Sequence, residues 1–299
     1  MANDAMYEQM SAKPGFIAAL DQSGGSTPGA LRAYGIPDSA WHGDEAEMFK
    51  LMHEMRVRIV TSPSFVGTKV IGAILFERTM DGDVKGKPVP AFLWQDRGVV
   101  PFLKVDKGLE TEADGVSLMK PIPGLDALLE RAVKLGVFGT KMRSVINRAS
   151  KPGIEAIAAQ QFDVARQIAA HGLVPIIEPE ISIKSPDKAA CEALLRDALL
   201  ARLDALPKGE RVMLKLTLPE TADFYMPVIK HAGVARVVAL SGGYTRAEAC
   251  RRLATNHGMI ASFSRALTEG LTRSMSDSEF DAAQTASIDE IYQASTAKV

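Results

Sequence analysis

The run Val-Met-Leu-Lys-Leu-Thr-Leu at residues 212–218 has the composition of a buried strand but carries a lysine at its centre. Side chains alternate between the two faces of a strand, so Lys215 shares one face with Met213 and Thr217. A charged lysine is costly to bury, and lysines therefore usually lie at the surface or are paired. An amine held away from water tends to lose its proton, and a neutral amine is a nucleophile toward carbonyl groups. Lys215 is thus either a strand-end lysine that reaches solvent or a reactive amine.

Three further apolar runs end in charged residues that are two positions apart. These runs are Val-Val-Pro-Phe-Leu-Lys-Val-Asp-Lys-Gly at 99–108, Gly-Val-Phe-Gly-Thr-Lys-Met-Arg at 136–143 and Gly-Leu-Val-Pro-Ile-Ile-Glu-Pro-Glu at 172–180. The charged pairs are Lys104 and Asp106, Lys141 and Arg143, and Glu178 and Glu180. Parallel α/β proteins place their chemistry at the carboxyl ends of strands. Four strands with this arrangement indicate an active site.

Alternation of strand-like and helical segments predicts the fold class. The strand candidates are residues 15–20, 72–76, 100–105, 136–141, 172–177, 211–216, 235–240 and 259–263. Helical segments at 124–134, 153–171, 187–205 and 245–257 separate several of them. We therefore expect a single (β/α)8 TIM barrel over residues 1–299, with a short C-terminal tail from about 275 to 299. The alternative is a doubly wound sheet, but its Gly-x-Gly-x-x-Gly turn after the first strand is missing.

Charge and hydropathy limit the partners that the chain can have. The 299 residues include 35 Lys and Arg against 36 Asp and Glu, a formal net charge of −1. This balance argues against nucleic acid or an anionic membrane as the main partner. No apolar run reaches the roughly 18 residues that span a bilayer, and the first ten residues lack the features of an export signal. We expect a cytoplasmic protein, for which a homo-oligomer is possible.

The cysteines and histidines predict neither a disulfide nor a metal site. Cys191 and Cys250 lie in helical segments and are expected to be buried free thiols. No two of the five histidines have the spacing of helical or hairpin metal ligands. We therefore expect no metal and no cofactor.

Three polar turns at strand ends predict anion sites. Leu-Ser-Gly-Gly-Tyr at 240–244 follows the seventh strand, and Ser-Phe-Ser-Arg at 262–265 closes the eighth. The loops after these two strands form the usual phosphate site of a barrel. The residues of this predicted pocket are Ser241, Gly242, Gly243 and Arg265.

The first turn, Leu-Asp-Gln-Ser-Gly-Gly-Ser at 20–26, offers backbone N–H groups and hydroxyls to an anion. It is otherwise an ordinary glycine-rich turn in which Ser26 or Thr27 caps a helix. Together with Lys104 and Arg143, it can form a second phosphate pocket across the mouth of the barrel. Two such pockets beside a nucleophilic lysine predict a bisphosphorylated carbonyl substrate.

These motifs, taken in order, resemble those of a known family. They are Phe-Ile-Ala-Ala-Leu-Asp-Gln-Ser-Gly-Gly-Ser, Leu-Lys-Val-Asp-Lys-Gly, Lys-Met-Arg, Val-Pro-Ile-Ile-Glu-Pro-Glu-Ile, Met-Leu-Lys-Leu, Leu-Ser-Gly-Gly and Phe-Ser-Arg-Ala-Leu. Over about residues 15–267, the chain resembles the short bacterial branch of the class I fructose-1,6-bisphosphate aldolases. This resemblance implies a (β/α)8 barrel that reversibly cleaves fructose 1,6-bisphosphate into dihydroxyacetone phosphate and glyceraldehyde 3-phosphate in glycolysis and gluconeogenesis.

The resemblance also implies roles for individual residues. Lys215 resembles the Schiff-base lysine, and Glu178 resembles the acid and base that dehydrates the carbinolamine. Lys141 resembles the lysine that holds Glu178 and the amine in register, and Asp21 resembles the base for carbon–carbon cleavage. The ketose phosphate end would lie at Ser241, Gly242 and Arg265. The other end would lie at Ser23, Ser26, Lys104 and Arg143.

The chain departs from the animal enzymes of that family in several places. Gln22 stands where those enzymes have Glu, Met142 where they have Trp, and Ser264 where they have Gly. Animal forms also end in a longer mobile tail with a functional tyrosine, whereas Tyr292 is the only tyrosine near the end of this sequence. Other hypotheses remain open. They are another imine-forming barrel aldolase or transaldolase, a pyridoxal-phosphate barrel, and a non-catalytic sugar-phosphate-binding barrel.

Overall fold

Eight parallel strands close into a barrel in the computed structural model, which describes residues 4–299. Residues 1–3, at the start of the segment searched for an export signal, lie outside the described residues. The strands are β1 (Phe16–Leu20), β2 (Val70–Leu75), β3 (Val100–Lys104), β4 (Gly139–Ile146), β5 (Val174–Ile181), β6 (Val212–Thr217), β7 (Val234–Leu240) and β8 (Met259–Phe263). Each strand pairs with the next along the chain, and β8 pairs with β1. The predicted single (β/α)8 barrel is confirmed.

Helices cover the outside of the barrel. They are α1 (Asp4–Ala12), α2 (Thr27–Ala33), α3 (Glu45–Thr61), α4 (Glu77–Met80), α5 (Val89–Arg97), α6 (Leu125–Lys134), α7 (Lys151–Ala170), α8 (Lys188–Asp204), α9 (Met226–Ile229), α10 (Arg246–Ala254), α11 (Arg265–Thr268) and α12 (Asp277–Thr296). Single turns of 3₁₀ helix lie at Gly24–Ser26 and Asp38–Ala40. Asp83–Val84 and Lys87–Pro88 form a small hairpin, and Val116–Ser117 pairs antiparallel with the end of β4.

Polar side chains define where several of these helices begin. Asp44, Ser150, Thr245 and Ser276 each accept a hydrogen bond from a backbone N–H group in the first turn of α3, α7, α10 and α12, respectively. Those N–H groups have no partner within the helix, so a side-chain oxygen in front of the helix stabilises its first turn. Local sequence thus sets the start of the helices that pack on the barrel.

Two strands extend further than the sequence predicts. β4 and β5 pair from Gly139 opposite Val174 to Ile146 opposite Ile181, whereas the predicted strands end at 141 and 177. Their amino ends also differ, because Gly136 and Gly172 have φ angles of 80° and 77° and follow the ends of α6 and α7. Glycine adopts this left-handed conformation without the steric cost of a side chain.

The barrel interior near the amino ends of the strands is apolar, and α1 covers it. Among the described residues, fourteen buried side chains form this interior cluster, including Met6 and Met10 of α1 and Phe102 of β3. The side-chain amide of Gln9 donates to the carbonyls of Ile71 and Gly98, both at 2.8 Å. Water is thereby kept out of the amino end, and the polar interior lies at the opposite end of the strands.

The segment after residue 275, which the sequence analysis treats as a short tail, forms the 20-residue helix α12. Its Phe280, Ile288 and Ile291 are buried in the outer core, and Tyr292 packs against that core. Ser295 accepts a hydrogen bond from the backbone N–H of Ala261 in β8 at 3.0 Å. Helical periodicity in this stretch is weak, and its burial depends on tertiary contacts that a local pattern does not reveal.

No helix within the described residues is long and apolar enough to cross a membrane.

We predict that Met10→Ala lowers the free energy of unfolding by about 2–5 kcal/mol, because it opens a cavity at a side chain that is only 1% exposed. Denaturant unfolding measures the change. Val133→Ala, at a side chain that is 46% exposed, is the control and should change stability by less than about 0.5 kcal/mol. Equal effects of the two substitutions would contradict the role of α1 as the cover of the barrel.

Candidate active site

Four charged side chains from four strands meet inside the carboxyl end of the barrel. Lys215 comes from β6, Glu178 from β5 and Lys141 from β4, and Asp21 follows directly after β1. Each of them is at most 8% exposed. Met213, which shares the face of Lys215, belongs to the interior cluster, and Leu214, Leu216 and Leu218 belong to the outer core, so this face of β6 points into the barrel.

A continuous chain of ion pairs joins the four groups. Glu178 contacts the Lys215 amine through Oε1 and the Lys141 amine through Oε2, each at 2.9 Å. The Lys141 amine also lies 2.7 Å from Asp21 Oδ2. One carboxylate therefore holds two lysines, and Lys141 joins the two carboxylates that the sequence analysis identifies as acid and base candidates.

The electrostatics of the cluster favour the charged forms of three of its members. Burial raises the pKa of Asp21 and of Glu178, but the positive charges of Lys141 and Lys215 outweigh burial, and both pKa values lie below their ordinary range. Burial lowers the pKa of Lys141, yet Asp21 and Glu178 raise it well above its ordinary value. Asp21, Glu178 and Lys141 are therefore ionised at neutral pH.

Asp106 connects the cluster to β3 and was not among the site residues predicted from the sequence. Its side chain is 3% exposed, and Oδ1 lies 2.6 Å from the Lys104 amine. Oδ2 accepts from the backbone N–H of Arg143 at 3.2 Å and lies 4.0 Å from the Lys141 amine. The spacing of Lys104 and Asp106 contained this signal, since both side chains lie on one face of the strand.

Arg143 and Glu180 form a second ion pair above the cluster. The guanidinium Nη1 lies 3.0 Å from Glu180 Oε2, and the arginine side chain is 41% exposed. Burial raises the pKa of Glu180, and Arg143 opposes that rise only in part. Both Lys104 and Arg143, which the sequence predicts as phosphate ligands, thus have carboxylate partners near the mouth.

The turn after β7 lies beside the end of β8, as the predicted phosphate pocket requires. Gly242 and Gly243 have φ angles of 60° and 113°, which favour glycine. A Cβ atom at Gly242 would lie 2.7 Å from the Ile183 side chain, and one at Gly243 would lie 3.3 Å from Arg265 Nη2. The Arg265 guanidinium, on an exposed residue, is therefore held over the backbone of this turn.

Ser23 and Ser26 of the first turn bond to each other. Ser26 Oγ donates to the Ser23 carbonyl at 2.9 Å and accepts from the Ser23 N–H at 3.1 Å. The turn continues through Gly24–Ser26 into α2, with Ser26 as the residue before the helix. The Ser26 side chain makes no capping hydrogen bond to α2, and the Thr27 hydroxyl is buried without a hydrogen-bond partner among the described residues, so the expected capping of this helix is not observed. An anion-binding role is compatible with the geometry, because Gly24 and Gly25 are exposed.

Arg56 is a second charged residue that the sequence analysis missed. It lies on α3 and is 2% exposed. It shares the apolar stripe of that helix with Met52, Met55 and Ile59, and an arginine within such a stripe is the signal that could have identified it. Its contacts reach Gln22, next to Asp21.

Cys191 and Cys250 are buried free thiols, as expected. Within residues 4–299, no group of three or more His, Cys, Asp or Glu side chains could hold a metal ion.

The fold and the site define a (β/α)8-barrel enzyme with a buried lysine near the carboxyl end of its sixth strand. The family model of class-I fructose-bisphosphate aldolase, described as glycolytic, matches residues 47–222. The chain belongs to the class I fructose-bisphosphate aldolase family.

Relatives in two bacteria match nearly the whole chain. Class 1 fructose-bisphosphate aldolase of a Synechocystis species is 59% identical over 293 residues, which cover 98% of this chain and 97% of that one. The enzyme of the same description from Porphyromonas gingivalis is 56% identical and covers 98% and 99% of the two chains. The fold also resembles that of fructose-bisphosphate aldolase from Plasmodium falciparum, solved with TRAP and a small-molecule inhibitor. That structure has a TM-score of 0.77 and 21% identity over 98% of this chain and 93% of that one.

We predict that Lys141→Met lowers the free energy of unfolding at pH 7 by about 3–5 kcal/mol, because it leaves buried carboxylates without their shared partner. Wild-type Asp21 and Glu178 have lowered pKa values, so their stabilising contribution is complete above the ordinary values of 3.8 and 4.5 and is lost only at lower pH. In the variant, protonation relieves the buried charge. The difference in the free energy of unfolding between wild type and Lys141→Met should therefore decrease as the pH falls from 7 toward 4.5.

Denaturant unfolding at several pH values measures this difference. Lys50→Met, at an exposed lysine paired with Glu47, is the control and should have little effect at any of them. A difference that stays constant or widens toward acid pH would contradict the ion-pair assignment of Lys141.

Proposed function

We propose that Lys215 forms the Schiff base through which this chain cleaves fructose 1,6-bisphosphate reversibly to dihydroxyacetone phosphate and glyceraldehyde 3-phosphate. One observation carries the proposal: the buried Lys215 amine lies 2.9 Å from the carboxylate of Glu178. Carbinolamine dehydration requires an acid and base beside the amine, and this distance places the Glu178 carboxylate in direct contact with it. Membership of the aldolase family supports the choice of substrate.

The first half of the reaction forms the imine. Lys215, an ammonium paired with Glu178, passes a proton to that carboxylate. The neutral amine then attacks the C2 carbonyl of the substrate while the carbonyl π bond breaks, and transfer of an amine proton to the former carbonyl oxygen gives a carbinolamine. Glu178, after taking up a proton, gives it to the departing hydroxyl, which leaves as water. The product is a positively charged iminium that withdraws electrons from the neighbouring carbon–carbon bond.

Lys141 keeps the proton-transfer groups in register during this step. Its amine contacts both Glu178 and Asp21, and its raised pKa keeps it charged. It therefore serves as a fixed cation between the two carboxylates and does not compete with Lys215 for the carbonyl.

Asp21 acts in the second half. As an ionised carboxylate it accepts the proton of the C4 hydroxyl, while the C3–C4 bond breaks and its electrons flow into the iminium. The aldehyde product leaves, and an enamine remains on Lys215. Protonation of the enamine and hydrolysis of the imine then release dihydroxyacetone phosphate and restore the amine.

Two groups of residues are the proposed phosphate sites. Ser241, Gly242, Gly243 and Arg265 would bind the phosphate at the ketose end, where the guanidinium lies close to the glycine turn. Ser23, Ser26, Lys104 and Arg143 would bind the other phosphate. The carboxylates of Asp106 and Glu180 hold Lys104 and Arg143 in place until the substrate arrives. The proposed compartment is the cytoplasm, in keeping with the glycolytic family.

We predict that borohydride reduction with dihydroxyacetone phosphate attaches an adduct to the peptide that contains Lys215. Lys215→Met should lose both the adduct and turnover. The other amine of the cluster, that of Lys141, is paired with more than one carboxylate and does not replace Lys215. Peptide mass mapping locates the adduct, and Lys50→Met serves as the surface control. An adduct on Lys104 or Lys141 would contradict the assignment. Preferential cleavage of deoxyribose 5-phosphate would indicate a different imine-forming aldolase.

We predict that Glu178 and Asp21 act at different steps. Glu178→Gln should slow imine formation, so rapid-quench trapping finds little adduct at early times. Asp21→Asn should form the imine but stall before cleavage, so the adduct accumulates while the product does not. Acid–base assistance is worth about 10²–10⁴-fold, and each defect should be of that order. Trapping at the wild-type rate in both variants would refute the division of roles.

A further inference from the structure

Arg56 is a buried cation that the proposed mechanism does not use. Nη1 of its guanidinium donates to Thr79 Oγ1 at 2.7 Å, and Nη2 donates to the backbone carbonyl of Gln22. Nη2 also lies 3.4 Å from the side-chain oxygen of Gln22. Nε is buried without a hydrogen-bond partner. No ion pair joins Arg56 to a carboxylate within the described part of the chain, so its hydrogen-bond partners there are neutral.

A buried arginine with neutral partners is costly for stability alone. Burial lowers the pKa of Arg56 to about 10, and the negative charge of Asp21 opposes that effect. Arg56 donates through Nη2 to the backbone carbonyl of Gln22, the residue after Asp21. It therefore interacts with the active site through the charge of Asp21 as well as through hydrogen bonds. Its position favours a role beyond packing.

Gln22 continues the contacts of Arg56 across the barrel mouth. Its side-chain amide donates to Ser264 Oγ at 2.7 Å. Gln22 follows Asp21 at the end of β1, and Ser264 precedes Arg265 at the end of β8. Thr79, Arg56, Gln22 and Ser264 thus form a chain of hydrogen bonds that connects the ends of the second, first and eighth strands.

Two members of this chain adjoin residues of the proposed mechanism, since Gln22 follows Asp21 and Ser264 precedes Arg265. Arg56 fixes the carbonyl of Gln22 and so restrains the backbone from which the Asp21 side chain reaches Lys141. The amide of Gln22 fixes Ser264 and so restrains the start of α11, where Arg265 lies. A misplacement of about 1 Å in such a site is enough to lower a rate by about 100-fold.

We propose that Arg56 and Gln22 are positioning residues that set Asp21, the base for carbon–carbon cleavage, at a fixed distance from Arg265, the phosphate anchor. This inference rests on the proposed function and adds two residues to it. Arg56 acts on the cleavage step through the β1 turn. Gln22 acts on substrate binding through its bond to Ser264.

The first test compares imine formation with cleavage in Arg56→Met. Because Arg56 positions Asp21 and not Lys215, the variant should trap the Lys215 adduct at the wild-type rate, while kcat for cleavage falls about 10- to 100-fold. Arg56→Lys, which keeps the charge but loses the fork, should recover part of kcat. Arg58→Met is the matched control, since Arg58 lies on the same helix and donates to backbone carbonyls near α12. Its kcat should stay within about twofold of wild type.

The second test separates binding from chemistry. Gln22→Met and Ser264→Ala each remove the 2.7 Å bond. Ser264→Ala leaves the contacts of Arg56 unchanged, whereas Gln22→Met also removes the 3.4 Å contact to Arg56 Nη2 but keeps the backbone carbonyl to which Arg56 donates. Each should raise KM for fructose 1,6-bisphosphate about 3- to 10-fold and leave kcat within about twofold. Because the two substitutions remove one shared bond, the double variant should be no worse than either single one.

Several results would overturn the proposal. They are a kcat of Arg56→Met within about twofold of wild type, an equal loss of adduct formation and cleavage in that variant, and an equal loss of kcat in Arg58→Met. Should Arg56→Met fail to fold, the second test decides, and an unchanged KM in Gln22→Met overturns the proposal. Failure of the proposed function is distinct, since wild-type enzyme would then form no adduct on Lys215.

Discussion

The contact on which the site depends is the sharing of one carboxylate, that of Glu178, by two lysine amines. Each oxygen of Glu178 holds a different lysine at 2.9 Å, and the second lysine in turn holds Asp21. A buried charge is tolerated only when it is paired and hydrogen-bonded. The four side chains therefore stabilise one another, and removal of any one of them leaves its neighbours uncompensated. The same arrangement divides the two lysines by role, because Lys141 contacts Glu178, Asp21 and, at 4.0 Å, Asp106, whereas Lys215 is paired with Glu178.

The barrel accommodates these buried charges by separating an apolar layer and a charged layer along its axis. Below the cluster, the interior consists of packed side chains such as Ile176 and Met213, and α1 covers the amino end with Met6 and Met10. The packed apolar layer therefore lies between the charged cluster and the amino end of the barrel. In such surroundings a hydrogen bond or an ion pair is stronger than in water, which favours proton transfer between fixed partners.

Sequence periodicity predicted the fold and the composition of the cluster. Alternation along 212–218 placed Lys215 on one face with Met213, and the charges two residues apart in three other strands placed Lys141 and Glu178 at the carboxyl ends of their strands. The family resemblance implied that Lys141 holds Glu178 and the amine in register, but the sequence did not predict that Lys141 also contacts Asp21, because pairing depends on strand register and side-chain reach. The sequence pattern also did not predict the full length of β4 and β5, because the two strands extend as far as they pair with each other, from Gly139 opposite Val174 to Ile146 opposite Ile181. The contacts of Arg56 and the packing of helix α12 were missed because they join segments that are distant in the chain, whereas the two-residue spacing of Lys104 and Asp106 already contained the signal for Asp106.

The central claim, that Glu178 is shared by Lys215 and Lys141, is tested most directly by a double-mutant cycle on unfolding free energy. The cycle would combine Lys141→Met with Glu178→Gln and measure both single variants and the double variant in denaturant. Residues in one buried ion-pair network show coupling of about 0.5–3 kcal/mol, and we expect a coupling toward the upper end of that range. Additive effects of the two substitutions would mean that Glu178 and Lys141 act independently, and would contradict this account of the site.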